Sequence, residues 1–309
     1  MLPFRLVYHD AYNFRLRGHV YPTHKYSLIR DRLLAEGIAD ESDFVRPEPA
    51  ADEDLLLVHD AQWIEHLREG SLTHVEEAAL ELPYSASMTR AFWLAAGGTI
   101  LAARLALEDG VGFHIGGGWH HAYADHGEGF CALNDVAVAI RRAQKDGRIE
   151  RAMVIDADVH HGNGTAAIFA DDASVFTLSI NQYANYPALK PRSNLDIHLA
   201  DGVGDEEYLR RLADGCHQAL AQFSPELVIY NAGADPYRDD QLGGLDLTFE
   251  GLMARDRFVF SLLAEKKVPV AVTLAGGYAR DVEDTVTIHV NTVKAAAENA
   301  LARGTEAQG

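Results

Sequence analysis

The sequence has few of the features that tie a protein to an oxidising compartment or a membrane. Its 309 residues include only two cysteines, Cys131 and Cys216, too few for a disulfide framework and too far apart for a zinc knot of the CxxC type. No stretch approaches the 18 consecutive apolar residues of a membrane-spanning helix. Residues 1–19 lack the long apolar segment and small-residue cleavage site of a signal peptide. We therefore expect a cytoplasmic protein without a membrane span.

Basic patches and nucleotide-binding motifs are also missing. The formal net charge is -19, and no basic stripe indicates a nucleic-acid partner. The glycines at 116–118 are not followed by the Lys-Ser/Thr of a phosphate-binding loop, and no GxGxxG opens a helix. No Ser or Cys lies in a nucleophile elbow. These absences disfavour nucleic-acid and nucleotide binding. We expect the acidic surface to provide solubility or to attract cationic partners.

Alternating strand and helix patterns predict the fold class. Seven short β-branched runs predict strands at 4–9, 110–115, 152–158, 174–180, 195–199, 226–233 and 270–277. Several are continuously apolar, as strands buried on both faces are. Helical patterns lie between many of them, at 26–37, 88–110, 133–147, 205–223, 248–267 and 281–304. The alternation predicts a single α/β domain with a parallel sheet. We expect the last residues, 305–309, to form a flexible tail.

Four glycine-rich segments begin at the carboxyl ends of four of the predicted strands. They are residues 116–131, 157–164, 232–244 and 276–281. Glycine permits tight turns and close approach of backbones. In an open parallel sheet, binding sites form outside the carboxyl ends of the strands. We therefore expect the four segments to converge on one pocket.

The segment VIDADVHHGNGT (154–165) contains two aspartates and two histidines, with no Lys or Arg between residues 151 and 190 to neutralise them. Asp158 and His160 are two positions apart, a spacing that points both side chains to the same side of an extended chain. Asp235 follows another strand and is placed to supply a third ligand. Two carboxylates and one imidazole leave coordination positions open, as in catalytic zinc sites, and such a set would also accept Fe²⁺.

Further side chains in these segments fit hydrolytic chemistry, although each has an ordinary alternative. His120 and His121 are adjacent, and Asp156 and Asn163 flank the predicted ligands, where they could orient the two rings. A histidine beside a metal-activated water is the basic arrangement for amide hydrolysis, whereas the alternative is a pair of packing or surface histidines. Tyr278 could hydrogen-bond a carbonyl oxygen, but by itself an ordinary half-buried tyrosine is favoured.

Five motifs in a fixed order resemble those of the zinc-dependent histone deacetylases and their bacterial relatives, the acetylpolyamine and acetoin-utilisation amidohydrolases. They are VHDAQWIEHL (58–67), GGGWHHAYADHGEGFCALNDVAVAI (116–140), VIDADVHHGNG (154–164), YNAGADPYRDDQLGGL (230–245) and LAGGY (274–278). The resemblance implies the arginase/deacetylase fold, a three-layer α/β/α domain over residues 1–304 with a central, mostly parallel sheet of about eight strands. It also implies removal of acetyl or longer acyl groups from lysine side chains or related N-acyl amines by metal-activated water.

The resemblance assigns two ion sites. Asp158, His160 and Asp235 match the family's Zn²⁺ ligands. A structural K⁺ is common in the family, and its site matches Asp156, Asp158, His160 and Ser179. The expected cofactors are therefore Zn²⁺, with Fe²⁺ as an alternative in the cell, and K⁺.

The catalytic roles also follow from the resemblance. His121 would act as general base and then general acid. His120, paired with Asp156, would be its electrostatic partner, and Tyr278 would polarise the scissile carbonyl. Asn163 orients the second histidine where class I members have Asp. Because an amide raises the basicity of an imidazole less than a carboxylate does, His121 is expected to work differently here.

Other positions match the family's substrate-binding region. Gly129 and Phe130 match the acyl tunnel, with Tyr186 on its opposite wall, and residues 13–26 are expected at the rim. The stretch ELPYSASM (81–88) lacks the Asp with which class I members grip the peptide backbone, which argues against histone tails. The short length and motifs resemble class IV members, which are associated with long fatty-acyl lysine.

Two other interpretations use the same fold. An arginase-like ureohydrolase would need a second metal and an Asp at Gly162, and it is disfavoured. A non-catalytic binding protein would have lost a ligand, a histidine or the tyrosine, and none is missing. A small-molecule acetylpolyamine-type deacetylase stays open as an alternative to an acylated protein or peptide substrate. The oligomeric state cannot be predicted from these motifs.

Overall fold

The computed structural model describes residues 1–16 and 18–306, with the side chains of 301–306 left aside. Within these residues eight strands form one sheet. The strands are β1 (Arg5–Val7), β2 (Phe44–Val45), β3 (Val111–His114), β4 (Ala152–Asp156), β5 (Val175–Gln182), β6 (Leu195–Leu199), β7 (Leu227–Asn231) and β8 (Val270–Thr273). The seven predicted strands are all present. The eighth, β2, has only two residues, too few for a pattern to indicate a strand.

The helices agree with the longer periodic patterns. They are α1 (Lys25–Ala35), α2 (Asp52–Leu55), α3 (Ala61–Glu69), α4 (His74–Leu80), α5 (Ala86–Asp109), α6 (Asp135–Lys145), α7 (Asn163–Ile168), α8 (Asp205–Gln222), α9 (Phe249–Glu265) and α10 (Val282–Glu306). All six predicted helices are present, whereas the short helices α2, α3, α4 and α7 were not predicted. Helix α10 includes residues 305 and 306 of the expected tail, and residues 307–309 lie outside the described part of the chain.

The sheet has the order β2-β1-β3-β8-β7-β4-β5-β6, and every pairing is parallel. This confirms the predicted α/β architecture with a parallel sheet of about eight strands. Strand β8, the last to occur in the sequence, lies between β3 and β7 in the middle of the sheet. The carboxyl ends of β3, β8, β7 and β4 are therefore consecutive along one edge.

Helices cover both faces of the sheet and form the outer layers. In β4, Ala152 and Val154 pack with α5 and α6, whereas Met153 and Ile155 pack with the larger core on the other face, to which α1, α8, α9 and α10 belong. The alternation follows from the two-residue period of a strand. Because both faces are covered, the strands are apolar throughout, as the sequence indicated.

Helix α5 is long and apolar. Ser85 caps its first turn by accepting the backbone N–H of Met88 at 3.1 Å, and Gly110 ends it in the left-handed conformation, with φ 86°. By length and composition α5 could span a membrane, yet most of its apolar stretch is buried inside the protein. It packs against β3, β8 and α6, which is the placement of a core helix.

Candidate functional site

The predicted site residues lie on the loops that follow the four consecutive central strands. His120 and His121 follow β3, the aspartate and histidine of the 154–165 motif follow β4, Asp235 follows β7, and Tyr278 follows β8. The parallel order of the sheet brings these distant segments to one edge. The four glycine-rich segments therefore converge, as predicted from their positions after strands.

Asp158, His160 and Asp235 form a compact buried cluster, which we call the ligand triad. One potential ligand atom from each lies within 4.8 Å of the others. His160 Nδ1 lies 3.0 Å from Asp158 Oδ1 and 3.3 Å from Asp235 Oδ2. All three side chains are buried, and Asp235 Oδ2 accepts no hydrogen bond within the described residues. An unsatisfied buried carboxylate oxygen is costly unless a cation binds it.

The two-residue spacing brings Asp158 and His160 together for a different reason from the predicted one. Strand β4 ends at Asp156, two residues earlier than predicted, so both side chains lie in the loop beyond it. Asp158 Oδ1 accepts the backbone N–H of His160 at 2.9 Å, which closes a tight turn and places the ring beside the carboxylate. Local hydrogen bonding, not strand alternation, aligns the pair.

Backbone donors fix the two carboxylates of the ligand triad. Asp158 Oδ2 accepts the N–H of Gly276 at 2.7 Å, and Asp235 Oδ1 accepts the N–H of Val159 at 2.8 Å. A Cβ at Gly276 would lie 1.9 Å from Asp235 Oδ2. Glycine is therefore required at this position because the carboxylates occupy the space of a side chain.

Two buried cations lie behind the ligand triad, and neither was predicted from the sequence. Lys25 Nζ donates to the carbonyl of Ala275 at 3.0 Å, and Arg255 Nη1 donates to the carbonyl of Gly233 at 2.6 Å. Neither forms an ion pair with Asp158 or Asp235. Asp235 Oδ2 thus stays free, in keeping with the lack of nearby Lys and Arg in the sequence.

The donor set fits a divalent cation. Two carboxylates and an imidazole, converging and buried, match the ligands of catalytic zinc sites, and they would also hold Fe²⁺. Burial, together with the charge of Asp158, raises the pKa of Asp235 to about 7. Such crowding of two carboxylates is relieved when a cation binds between them.

His120 and His121 have different partners. His120 Nδ1 lies 2.7 Å from Asp156 Oδ2, and His121 Nδ1 lies 2.6 Å from Asn163 Oδ1, so both predicted pairings occur in the structure. Burial opposes the charged form of His120, but the carboxylates of Asp156 and Asp158 outweigh it and raise its pKa to about 9. Burial and the charges of the neighbouring histidines hold the pKa of His121 well below its usual range.

A cavity of about 160 Å³ opens above the ligand triad. His121, His160 and Tyr278 reach it from below, and Gly129 lines it as predicted. Its outer sides are lined by five residues, which we call the cavity wall: Glu81, Phe130, Asn185, Tyr186 and Leu242. The sequence predicted Phe130 and Tyr186, whereas Glu81, Asn185 and Leu242 were not predicted, although Leu242 lies within the 230–245 motif. The Tyr186 ring packs edge-on against His121, with centroids 4.9 Å apart.

Residues 13–26 support this wall. Tyr21 stacks on Phe130 with centroids 6.2 Å apart, and His19 packs edge-on against the same ring at 4.8 Å. The predicted rim segment therefore lies directly behind the aromatic side of the cavity, although its Arg17 is outside the described residues. The stretch 81–88 contains no Asp, but the structure places the carboxylate-bearing Glu81 at the cavity itself. A carboxylate is therefore present at the cavity even though the stretch lacks the Asp of class I members.

The residues predicted to bind potassium lie close together in the fold. Asp156 and Ser179 are directly opposite each other in the paired strands β4 and β5. Ser179 Oγ accepts a hydrogen bond from Asn181 Nδ2 at 2.9 Å, and both residues are buried. The ion itself stays a prediction.

The chain is similar to known proteins over most of its length. The sequence matches the histone deacetylase domain over residues 19–293. The chain belongs to the histone deacetylase family. It is 40% identical, over 93% of its length and 96% of the relative, to an "uncharacterized protein" of Picosynechococcus sp.. It is 34% identical to histone deacetylase 2 of Arabidopsis thaliana, covering 91% of this chain and 77% of the relative.

A solved structure gives the same result for the fold. The crystal structure of a histone deacetylase homologue from Aquifex aeolicus superposes with a TM-score of 0.81 at 25% identity, over 94% of this chain and 83% of that one. The chain thus has the arginase/deacetylase fold of the histone deacetylase family. The family is one of metal-dependent hydrolases, and the ligand triad gives this member a matching donor set.

Cys131, the one thiol near the site of this histone deacetylase-family chain, has a structural environment. Its Sγ donates to the carbonyl of Gly129 at 3.4 Å, and burial raises the pKa of the thiol well above its usual value. A buried neutral thiol is a poor nucleophile. Packing, not covalent chemistry, accounts for Cys131.

Proposed function

We propose that the protein is a zinc-dependent amidohydrolase that removes acyl groups from lysine side chains or related N-acyl amines. The observation that carries the proposal is the convergence of the buried ligand triad, the histidine pair and Tyr278 on one cavity. Zn²⁺ held by Asp158, His160 and Asp235 would supply Lewis acidity, which polarises the amide carbonyl and lowers the pKa of water.

The chain's own groups fit the proton transfers of amide hydrolysis. His121 is held neutral by burial, so its Nε2 can accept a proton from water and later deliver one to the leaving amine. Its neighbour His120, bound to Asp156, lies with Nε2 3.1 Å from His121 Nε2. A protonated His120 there would stabilise negative charge that develops at the reacting carbonyl.

Tyr278 completes the proposed arrangement. Burial and the charges of Asp158 and Asp235 raise the pKa of its phenol well above the usual value, so that it stays protonated. The hydroxyl can then donate a hydrogen bond to the substrate's carbonyl oxygen. Preorganised donors of this kind typically contribute about 10²–10³-fold to kcat.

The space near the ligand triad favours a short acyl group. A small cavity of about 20 Å³ lies behind the site, lined among others by Tyr21, Trp119, Cys131 and Gly276. Such a volume holds roughly one water-sized group. We therefore favour an acetyl substrate over the long fatty-acyl groups associated with class IV members. That this chain belongs to class IV is itself a proposal.

The amine side of the substrate is less restricted. Among the described residues, the cavity lining contains the carboxylate of Glu81 and no Lys or Arg. This favours substrates with additional positive charge, which include acetylated polyamines as well as lysine-rich peptides. An acetylpolyamine-type deacetylase is therefore the second candidate function.

The test is a hydrolysis panel on the purified, zinc-loaded protein with acetyl-lysine peptide, long-chain acyl-lysine peptide and acetylputrescine, each with and without a hydroxamate chelator. We expect chelator-sensitive turnover, fastest on an acetyl substrate. Tyr278→Phe is the matched variant, and it should keep stoichiometric zinc while losing about 10²–10³-fold in kcat. Zinc-bound wild-type protein that hydrolyses none of the substrates would contradict the proposal, and full turnover in Tyr278→Phe would remove the tyrosine from it.

A further inference from the structure

Glu128 forms the outer end of a hydrogen-bonded chain that leads to His121. Its Oε2 accepts from Asn163 Nδ2 at 2.8 Å, and Asn163 Oδ1 in turn lies 2.6 Å from His121 Nδ1. Asn163 is fully buried, whereas Glu128 is half-buried at the outer end of the chain. The motif GEGFC that contains Glu128 was singled out in the sequence only for the tunnel residues that follow it.

The chain removes an ambiguity that an asparagine would otherwise introduce. A carboxylate only accepts hydrogen bonds, but an amide presents an acceptor at one end and a donor at the other. An Asn beside an imidazole could therefore face it with either end. With Oδ1 toward His121, the ring proton is on Nδ1. With Nδ2 toward His121, the proton moves to Nε2.

The carboxylate of Glu128 settles which end faces the ring. Because it can only accept, the NH₂ group of Asn163 must point toward it. The second N–H of that group is directed to the hydroxyl of Tyr123 at 3.3 Å. Both donors of the amide are thus used on the outer side, and its oxygen is left for His121 Nδ1.

We propose that Glu128 is a positioning residue: it fixes the orientation of the Asn163 amide and thereby selects the His121 tautomer that is protonated on Nδ1 and free to accept a proton on Nε2. The inference deepens the proposed function and rests on it, since it concerns the histidine assigned as the base. It also accounts for an Asn where class I members have Asp. The negative charge that class I members carry on this Asp is carried here by Glu128, one residue further from the His121 ring.

Another role for Glu128 has to be separated from this one. The Tyr186 hydroxyl lies beside the same carboxylate, and Tyr186 belongs to the cavity wall. A glutamate that only shaped the wall or attracted cationic substrates would act mainly on KM. A glutamate that sets the tautomer acts on kcat, and its effect depends on the residue at position 163.

The experiment is a double-mutant cycle of Glu128→Gln and Asn163→Asp in the full-length, zinc-loaded enzyme. Gln is isosteric but can donate as well as accept, so it no longer dictates how the amide faces. We expect Glu128→Gln to lower kcat by about tenfold with little change in KM, as removal of an outer-shell partner does. In the Asn163→Asp background the same change should cost nothing or raise kcat, because a carboxylate then faces His121 directly and Glu128 repels it.

A spectroscopic readout makes the test independent of turnover. Long-range ¹H–¹⁵N spectra of ¹⁵N-histidine-labelled protein distinguish Nδ1–H from Nε2–H tautomers, with the His121 signal assigned by its loss in His121→Gln. We expect Nδ1–H in the wild type and a shift toward Nε2–H in Glu128→Gln. Asp125→Asn is the matched control, since Asp125 lies on the same loop and bonds the adjacent His126 at 2.7 Å instead of Asn163.

Failure of the role assigned to Glu128 can be distinguished from failure of the proposed function. An unchanged His121 tautomer in Glu128→Gln, or an equal loss of kcat in both backgrounds, would overturn the assignment. A zinc-bound wild type without hydrolase activity would overturn the proposed function instead, and the tautomer spectra would still report on Glu128.

Discussion

The ligand triad and the cavity wall are neighbours that are built in opposite ways. The triad comes from two loops after the adjacent strands β4 and β7, is fully buried, and has its carboxylates fixed by backbone N–H groups. The wall comes from the end of α4 and from three longer loops, and its side chains are half-buried or exposed. Changes in the triad should therefore abolish metal binding, whereas changes in the wall should adjust substrate preference.

The largest expected effect is that of Asp235→Asn. The variant keeps the shape of the side chain and an oxygen for the N–H of Val159, but it replaces the unsatisfied Oδ2 with a donor. We expect at least about 100-fold weaker zinc binding, beyond the upper end for outer-shell changes. Elemental analysis after dialysis measures it, with the exposed Asp239→Asn as control. Full zinc occupancy in Asp235→Asn would exclude Asp235 from the ligands.

Gly276→Ala tests the triad without altering any of its donors. The added Cβ would lie 1.9 Å from Asp235 Oδ2 and 2.6 Å from Asp158 Oδ2, so both carboxylates must move. We expect about 10–100-fold weaker zinc binding, similar to the loss of an outer-shell partner. Gly204→Ala is the control, because a Cβ there meets nothing closer than 3.7 Å at an ordinary φ of -98°. Zinc affinity equal in the two variants would mean that the triad is less rigid than the structure indicates.

Arg255→Met tests the support behind the triad. Arg255 is fully buried, pairs with Asp256 at 2.9 Å and donates to the carbonyl of Gly233. Its removal leaves a buried carboxylate and a carbonyl short of a partner, so we expect a loss of about 3–5 kcal/mol in the free energy of unfolding. Urea titration measures it. The control is Arg257→Met, whose exposed pair with Glu298 should matter little.

The smallest expected effect belongs to the wall. Glu81→Gln removes the carboxylate at the cavity while keeping its size. For a substrate with an additional positive charge we expect KM to rise about two- to fivefold, in line with an exposed ion pair, and kcat to stay the same. Steady-state kinetics with acetylputrescine and an uncharged acetyl-lysine derivative separate the two cases. An equal change in KM for both substrates would show that Glu81 does not act through the charge of the substrate.

The same contrast explains what could be predicted from the sequence. Asp158 and His160 were found because a short motif carries both, and Asp235 because a parallel sheet brings the ends of adjacent strands together. Glu81, Asn185 and Leu242 were missed because the course of their loops depends on packing with distant segments. The strand and helix pattern gave the α/β fold, whereas β2 and the short helices were too brief to leave a period.

Lys25 and Arg255 were missed for another reason. Each lies on a helix whose other core-facing residues are mostly apolar, and a charged residue in such a pattern indicates the solvent side. Their burial depends on backbone carbonyls of the 233 and 275–277 turns, which exist only in the folded chain. A sequence pattern gives no information about such long-range backbone partners.

The central position of β8 determines when the sheet can be completed during synthesis of the chain. In the sheet Val111 pairs with Val270, so the gap between β3 and β7 stays open until the chain has been synthesised past residue 273, the end of β8. Only the insertion of β8 brings Gly276 and Tyr278 to the other site residues. A nascent chain that ends before β8 would contain every residue of the ligand triad, but its metal site would still be incomplete.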